Sequence, residues 1–165
     1  MPQDDALREQ VTIEPGRPAD ADRAVEITRE AFDGVSIDQA IERAIGRGGE
    51  LSWQDVKGLQ VRREFQTAPQ HCFVARLGGK LVGYVSCDID AAASRGRISN
   101  LAVDRSCRGQ GVGRLLILRA LDHFRGLGLK QAKIETLATN EIGQHLYPSC
   151  GFVEVVRQVH YAMKL

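Results

Sequence analysis

Six residues, Arg108-Gly109-Gln110-Gly111-Val112-Gly113, carry the most specific chemical signal in this sequence. Three alternating glycines stand between a run that reads as a strand, Ile98 to Val103, and a run with helical apolar spacing, Arg114 to Arg125. The glycines therefore fall at a helix N-terminus, where the first backbone N–H groups lack intrahelical acceptors and the dipole favours negative charge. Without a Cβ, the backbone there comes close to a ligand. The chemistry this pattern serves is anion binding, and phosphate is the anion that suits it.

Spacing separates the known kinds of phosphate loop. A Walker loop ends in Gly-Lys-Ser/Thr, but the only Gly-Lys pair, Gly79-Lys80, is followed by Leu81. A dinucleotide fingerprint needs a third glycine where Arg114 stands, and it opens its unit, whereas strands precede this loop. The hexapeptide instead resembles the pyrophosphate loop of the GNAT superfamily of acyl-CoA-dependent N-acyltransferases, Gln/Arg-x-x-Gly-x-Gly/Ala, with Arg108, Gly111 and Gly113 in the matching positions. Leu101-Ala102-Val103-Asp104 resembles the strand before that loop. Asn140, Leu146-Tyr147 and Gly151-Phe152 resemble the second signature of the family, so the resemblance covers residues 98–152.

The resemblance implies an α/β GNAT fold: a central mixed, mostly antiparallel twisted sheet flanked by helices, with two strands splayed to admit acyl-CoA. It implies transfer of acetyl from acetyl-CoA to a primary amine by direct attack in a ternary complex, with no metal. Leu101, Ala102 and Val103 are the expected pantetheine strand. Backbone N–H groups from Gln110 through Gly111 and Val112 to Gly113 are expected to hold the pyrophosphate, with Gly109 leaving room. Arg108 is the stronger candidate for added charge, while Arg114 reads equally as a solvated basic rim. Asn140 either bonds the cofactor or caps its helix.

Tyr147 occupies the family's position for the acid that protonates the departing thiolate. A phenol with a reference pKa of about 10 keeps its proton at neutral pH. The alternative is an aromatic ring that packs the short helix, and Pro148 disfavours helical geometry at Tyr147. The general base is open. Ser99 and Asn100 stand where some relatives place a carboxylate, which leaves a relayed water, Glu30, Asp33 or His71, the last read chiefly as a surface strand residue. Two rival functions stay alive: a catalytically silent acyl-CoA-binding regulatory module, and an acetyltransferase for protein N-termini or lysines.

Composition sets bounds. At 165 residues, with 43% hydrophobic and 26% charged residues, the chain suffices for one core and one domain spanning it, with residues 1–9 expected to be loose. A net charge of +1 offers no basic field for nucleic acid or an anionic membrane, and a homodimer is compatible with the family. No apolar run approaches the roughly 18 residues of a membrane span, and the first residues lack a signal-peptide pattern, so a soluble cytoplasmic protein is expected. Cys72, Cys87, Cys107 and Cys150 form no Cys-x-x-Cys pair and are expected to be reduced and structural.

The elements that must position these residues follow from periodicity. Gln10 to Glu14 reads as a strand and Ala19 to Phe32 as a helix burying Ala24, Val25, Ile27, Thr28, Ala31 and Phe32, with Asp20 able to cap it. Ile37 to Ile45 and Ser52 to Phe65 read as further helices, and the resemblance places Asp33 to Gln70 on the acceptor side. His71 to Arg76 and Lys80 to Cys87 form a hairpin about Gly78-Gly79 that sets Cys72 opposite Val85. Arg95 to Val103 follows as an antiparallel strand. The next helix buries Val112, Leu116, Ile117, Ala120, Leu121 and Phe124. Ala132 to Leu137 is expected as a parallel strand, Thr139 or Asn140 as the start of a helix ending near Pro148, and Val153 to Leu165 as final strands kinked near Val156-Arg157.

Overall fold

The computed structural model describes residues 10–165; the expectation of a loose segment at residues 1–9 lies outside the described residues. Five strands, β1 (Val11–Pro15), β2 (Cys72–Leu77), β3 (Lys80–Asp90), β4 (Arg95–Val103) and β5 (Gln131–Ile134), form one sheet in chain order. The first three pairings are antiparallel, and β4 with β5 is parallel. Helices α1 (Ala21–Ala31), α2 (Ile37–Ile45) and α3 (Trp53–Thr67) precede β2, α4 (Val112–Gly126) connects β4 to β5, and α5 (Glu141–Ser149) follows.

α2, α3 and α5 start where a side chain caps the first turn. Ser36 accepts from Gln39 N–H at α2, and Ser52 with Asp55 forms a reciprocal capping box at α3. Asp20 precedes α1 but does not cap it; its carboxylate instead accepts from Arg76 on β2 at 2.6 Å and from the Arg17 N–H. The sheet separates two cores. Ala24, Ile27, Val61, Phe65, Tyr84 and Ala102 pack on the α1 and α3 side, and Phe73, Val85, Ile98, Leu116, Ala120 and Phe124 on the α4 side.

Two irregularities decide which residues meet. Between Leu81 and Gly83, β3 carries one extra residue, so Cys72 lies opposite Ser86 and not opposite Val85 as the regular hairpin predicts. Cys72 and Cys87 consequently sit in the two different cores, and all four thiols are free. On β4, Ser99 is the extra residue between the pairings Cys87 with Ile98 and Ser86 with Asn100. Ile98 therefore faces α4, whereas Ala102, an even number of residues on, faces α1 and α3. Without that bulge Asn100 would point to the other side of the sheet.

Three expectations change. α4 begins at Val112, two residues before Arg114, because Gly111 adopts a left-handed φ of 81° and its C=O accepts the first helical bond, from Leu115 N–H at 3.1 Å. Pro148 does not break α5; it occupies the last turn with Tyr147 still helical. Val153 to Leu165 forms no strand. After the Phe152 N–H bond to Tyr147 C=O at 3.2 Å, none of these residues joins a ladder, and Val155 and Tyr161 are 84% and 93% exposed. Alternation reports a preference for extended backbone, but a strand exists only where a neighbouring edge bonds it.

Candidate active site

β4 and β5 pair only from Arg95 with Gln131 to Ile98 with Ile134. β4 continues against β3 as far as Val103, so its other edge is open from Ser99 to Val103. Strand N–H and C=O groups at such an edge need partners, and a chain carrying amides supplies them. Leu101 and Val103 stand half-buried against the α4 core, while Ala102 is buried beneath α1 and α3.

The loop at the end of this wedge is fastened from several directions. Asp104 accepts from Ser106 N–H at 3.0 Å and Ser106 Oγ at 2.6 Å, and it pairs with Arg23 of α1. The bonds from Ser106, followed by the Arg23 charge, hold its carboxyl below the usual range. Arg108 Nε donates to Val103 C=O at 3.0 Å, which seats its guanidinium at the mouth of the wedge. Gly109 and Gly111 adopt φ of 76° and 81°, a region that costs other L-residues about 1–3 kcal/mol. Buried Val112 pins the first turn of α4 in the core, with the N–H groups of Val112, Gly113 and Arg114 ahead of the first helical bond.

Arg114 points elsewhere. Its Nη1 donates to Ser149 C=O at 2.6 Å and to Ser149 Oγ at 3.0 Å, so it clips α4 to the negative end of α5. Asn140 caps α5: its Oδ1 accepts from Gly143 N–H at 3.1 Å and its Nδ2 donates to Thr136 Oγ1 at 2.8 Å. Both ends of that amide are engaged within the chain. Tyr147 is half-buried, edge-on to Phe152, and hydrogen-bonded to Thr136 just past β5. Burial raises its phenol pKa above the ordinary value, against the smaller pull of the Thr136 bond. Its proton is therefore retained through neutral pH.

The other face of β4 holds a group that sequence reasoning missed. Glu64, in the last turn of α3, receives Asn100 Nδ2 at 3.0 and 2.8 Å on its two oxygens, Ser86 Oγ at 2.6 Å and Gln60 Nε2 at 3.3 Å. Lys57, two turns earlier, donates to Gln60 at 3.1 Å and lies 4.8 Å over the Phe32 ring. Burial lowers the Lys57 pKa, with Glu64 and Asp38 opposing. The one signal in the sequence was a polar stripe, Lys57, Gln60 and Glu64, running beside the buried stripe Val61 and Phe65.

The named candidates for the base are placed less well. Glu30 sits 3.8 Å from Arg105 at the surface, and Asp33 accepts from Gln39 at 2.6 Å between α1 and α2. His71 is not a strand residue; it ends a 3-10 turn, and its Nδ1 is 2.8 Å from His123 Nε2. His123 lies eleven residues along α4 from Val112, roughly 16 Å from the loop at the helical rise. A cleft of about 500 Å³ opens between α2, the 46–51 loop and the start of α3, lined by Asp38, Ile41, Glu42, Leu51, Trp53 and Val56.

Comparison with known proteins agrees with this geometry. The solved structure of PaiA N-acetyltransferase from Thermoplasma acidophilum in complex with coenzyme A superposes with a TM-score of 0.67 at 17% identity, covering 84% of this chain and 87% of that one. Ard1 from Thermoplasma volcanium gives 0.65 at 22% identity over 89% and 85%. These likenesses show the fold. N-alpha-acetyltransferase 30 of Xenopus laevis is 34% identical over 96 residues, 56% of this chain and 35% of that protein. Mycothiol acetyltransferase of Propionibacterium freudenreichii is 30% identical over 165 residues, 98% of this chain and 49% of that protein. The chain thus spans between a third and a half of these two curated relatives. Residues 37–152 match the Acetyltransferase (GNAT) family, and with the open β4 edge leading into a glycine loop at the start of α4, the chain belongs to that family.

Proposed function

We propose that the protein transfers acetyl from acetyl-CoA to a primary amine by direct attack. The observation that carries this reading is the parting of β4 from β5 after Ile98, which opens a strand edge directly into the helix N-terminus at Gly111. The residues present fit the donor. Leu101 to Val103 flank the pantetheine with backbone groups, the N–H groups from Gln110 to Gly113 face the pyrophosphate, and Arg108 adds charge at the mouth. Acetyl-CoA supplies an activated acyl group and a sulfur leaving group. Tyr147, kept protonated by burial, is the acid for that sulfur, and Asn140 and Arg114 set the position of α5 that carries it. A silent acyl-CoA-binding module has no need for such a phenol.

The acceptor is a primary amine, and a peptide α-amino group is the first to try, since several similar proteins are N-alpha-acetyltransferases. Calorimetric titration is expected to show coenzyme A and acetyl-CoA binding with NAD inert, and a panel of amines and peptides to show amine-dependent thiol release. NAD binding without coenzyme A binding overturns the reading.

A further inference from the structure

We propose that Glu64 is the catalytic carboxylate that seats the acceptor amine and takes its proton, with the Asn100 Oδ1 completing the seat. Asn100 is 2% exposed. Its orientation is dictated by Glu64, whose two oxygens only accept, so the Nδ2 turns to them at 3.0 and 2.8 Å and the Oδ1 turns away. That Oδ1 is buried and meets no donor in the structure. The Glu64 oxygens already receive Asn100, Ser86 and Gln60, so the Asn100 Oδ1 is the acceptor left open beside that negative charge, and a protonated primary amine brings both the N–H groups and the positive charge to fill it.

Position supports the assignment. Asn100 immediately precedes Leu101 to Val103 on the open edge of β4, and the Ser99 bulge turns it toward α3. An amine held there lies beside the wedge on the face of the sheet opposite α4, the side packed by α1 and α3. Glu64 is half-buried, so it is held firmly yet reachable. The charged and titratable groups around it are Lys57 on its own helix and Cys72, Tyr84 and Cys87 on the sheet, with Asp38 of α2 and Arg97 of β4 acting on Lys57. Burial raises the Cys72, Cys87 and Tyr84 pKa values, to about 12 for Cys72, which leaves these three uncharged at neutral pH.

The step balances without a further reactant. The ammonium gives one proton to Glu64, and the free amine nitrogen bonds to the acetyl carbonyl carbon. The carbon–sulfur bond breaks with its electron pair on sulfur, which takes a proton from Tyr147. Glu64 passes the first proton to solvent and then takes the second nitrogen proton and releases it likewise, while Tyr147 is reprotonated from solvent. The net result is an amide, a thiol and one released proton.

This inference rests on the acetyl-transfer reading, and the experiment separates the two. Thiol release from acetyl-CoA is followed across acid to mildly alkaline pH with benzylamine and a free α-amino peptide as probes, for wild type, Glu64→Gln and Glu64→Asp. Calorimetry with coenzyme A checks that each variant is folded. Glu64→Gln is expected to lose roughly 10²-fold in kcat/KM and the acidic limb of the pH profile, with unchanged coenzyme A affinity. Glu64→Asp should keep the acidic limb at a reduced rate. Wild-type kcat/KM and an intact acidic limb in Glu64→Gln overturn the role of Glu64 alone, as does an equal loss with no acidic limb in Glu64→Asp. A wild type that binds coenzyme A but releases thiol with neither probe overturns the transfer reading and this inference with it.

Discussion

The two sides of β4 are built from opposite materials. Toward α4 the chain offers donors, the backbone N–H groups of a helix start and the Arg108 guanidinium, fixed by Gly109 and Gly111 in left-handed conformations. Toward α3 it offers acceptors, the Glu64 carboxylate and the Asn100 carbonyl oxygen, fixed by side-chain hydrogen bonds from Ser86 and Gln60. A backbone site needs particular residue types at close spacing and so leaves a motif. A side-chain site is assembled from residues 64, 86 and 100 on three elements and leaves none.

The sharpest way to break that contrast is to attack the backbone side. Gly111→Val forces a β-branched residue to φ 81°, and coenzyme A affinity is expected to fall at least about 10²-fold by calorimetric titration. Gly48→Ala, in the acceptor-side loop with no atom within 4 Å of the added Cβ, should bind coenzyme A like wild type. Equal affinities for the two variants would mean that the loop glycines only shape a turn.

Tyr147→Phe tests the phenol packed on the α4 side. The ring still packs against Phe152, so coenzyme A affinity should hold while the single-turnover acyl-transfer rate drops by roughly 10²-fold. A wild-type single-turnover rate would make the residue structural. Gly96→Ala probes the rigidity of the α4 side, because the new Cβ meets the Phe124 ring at 2.4 Å. It is expected to destabilise by about 1–3 kcal/mol in denaturant unfolding. An unchanged unfolding midpoint would show that Phe124 swings aside.

The smallest effect is expected at the far end of α4. Burial first, then the nearby His71 and Arg119 charges, hold the His123 pKa below its ordinary 6.5. The fold thus favours neutral His123. Its contribution is complete above about 6.5 and is lost as the pH falls from there through the folded-state value. The thermal midpoint should drop by a few degrees in mild acid, and His123→Phe should flatten that slope. Coenzyme A affinity of His123→Phe at neutral pH should not change, because this pair is remote from the loop. A midpoint that rises in acid contradicts the assigned direction.

Much of this was legible beforehand. Strand β4 lies at its expected bounds, as does α2, and the buried face of α4 contains Val112, Leu116, Ile117, Ala120 and Phe124 as periodicity predicts. The register of β2 against β3 was not, since one extra residue shifts Cys72 from Val85 to Ser86 and no turn residue announces it. The segment from Val153 to Leu165 shows the opposite failure, a strand pattern without a bonded neighbour.

The sequence by itself determined the family, the glycine loop and the helix that follows it, because glycine spacing and apolar period are local and each residue reports its own neighbourhood. It also put Tyr147 forward as the acid through a signature, Asn140 to Phe152, that spans one short helix and its two ends. Only the tertiary structure decided that Arg114 clips two helices together, that Asn140 serves its own cap, and that Glu64 meets Asn100. The last depends on a single inserted residue in β4, which turns Asn100 toward α3, and the Arg114 and Glu64 contacts join residues 35 and 36 positions apart, a distance over which local pattern reports nothing.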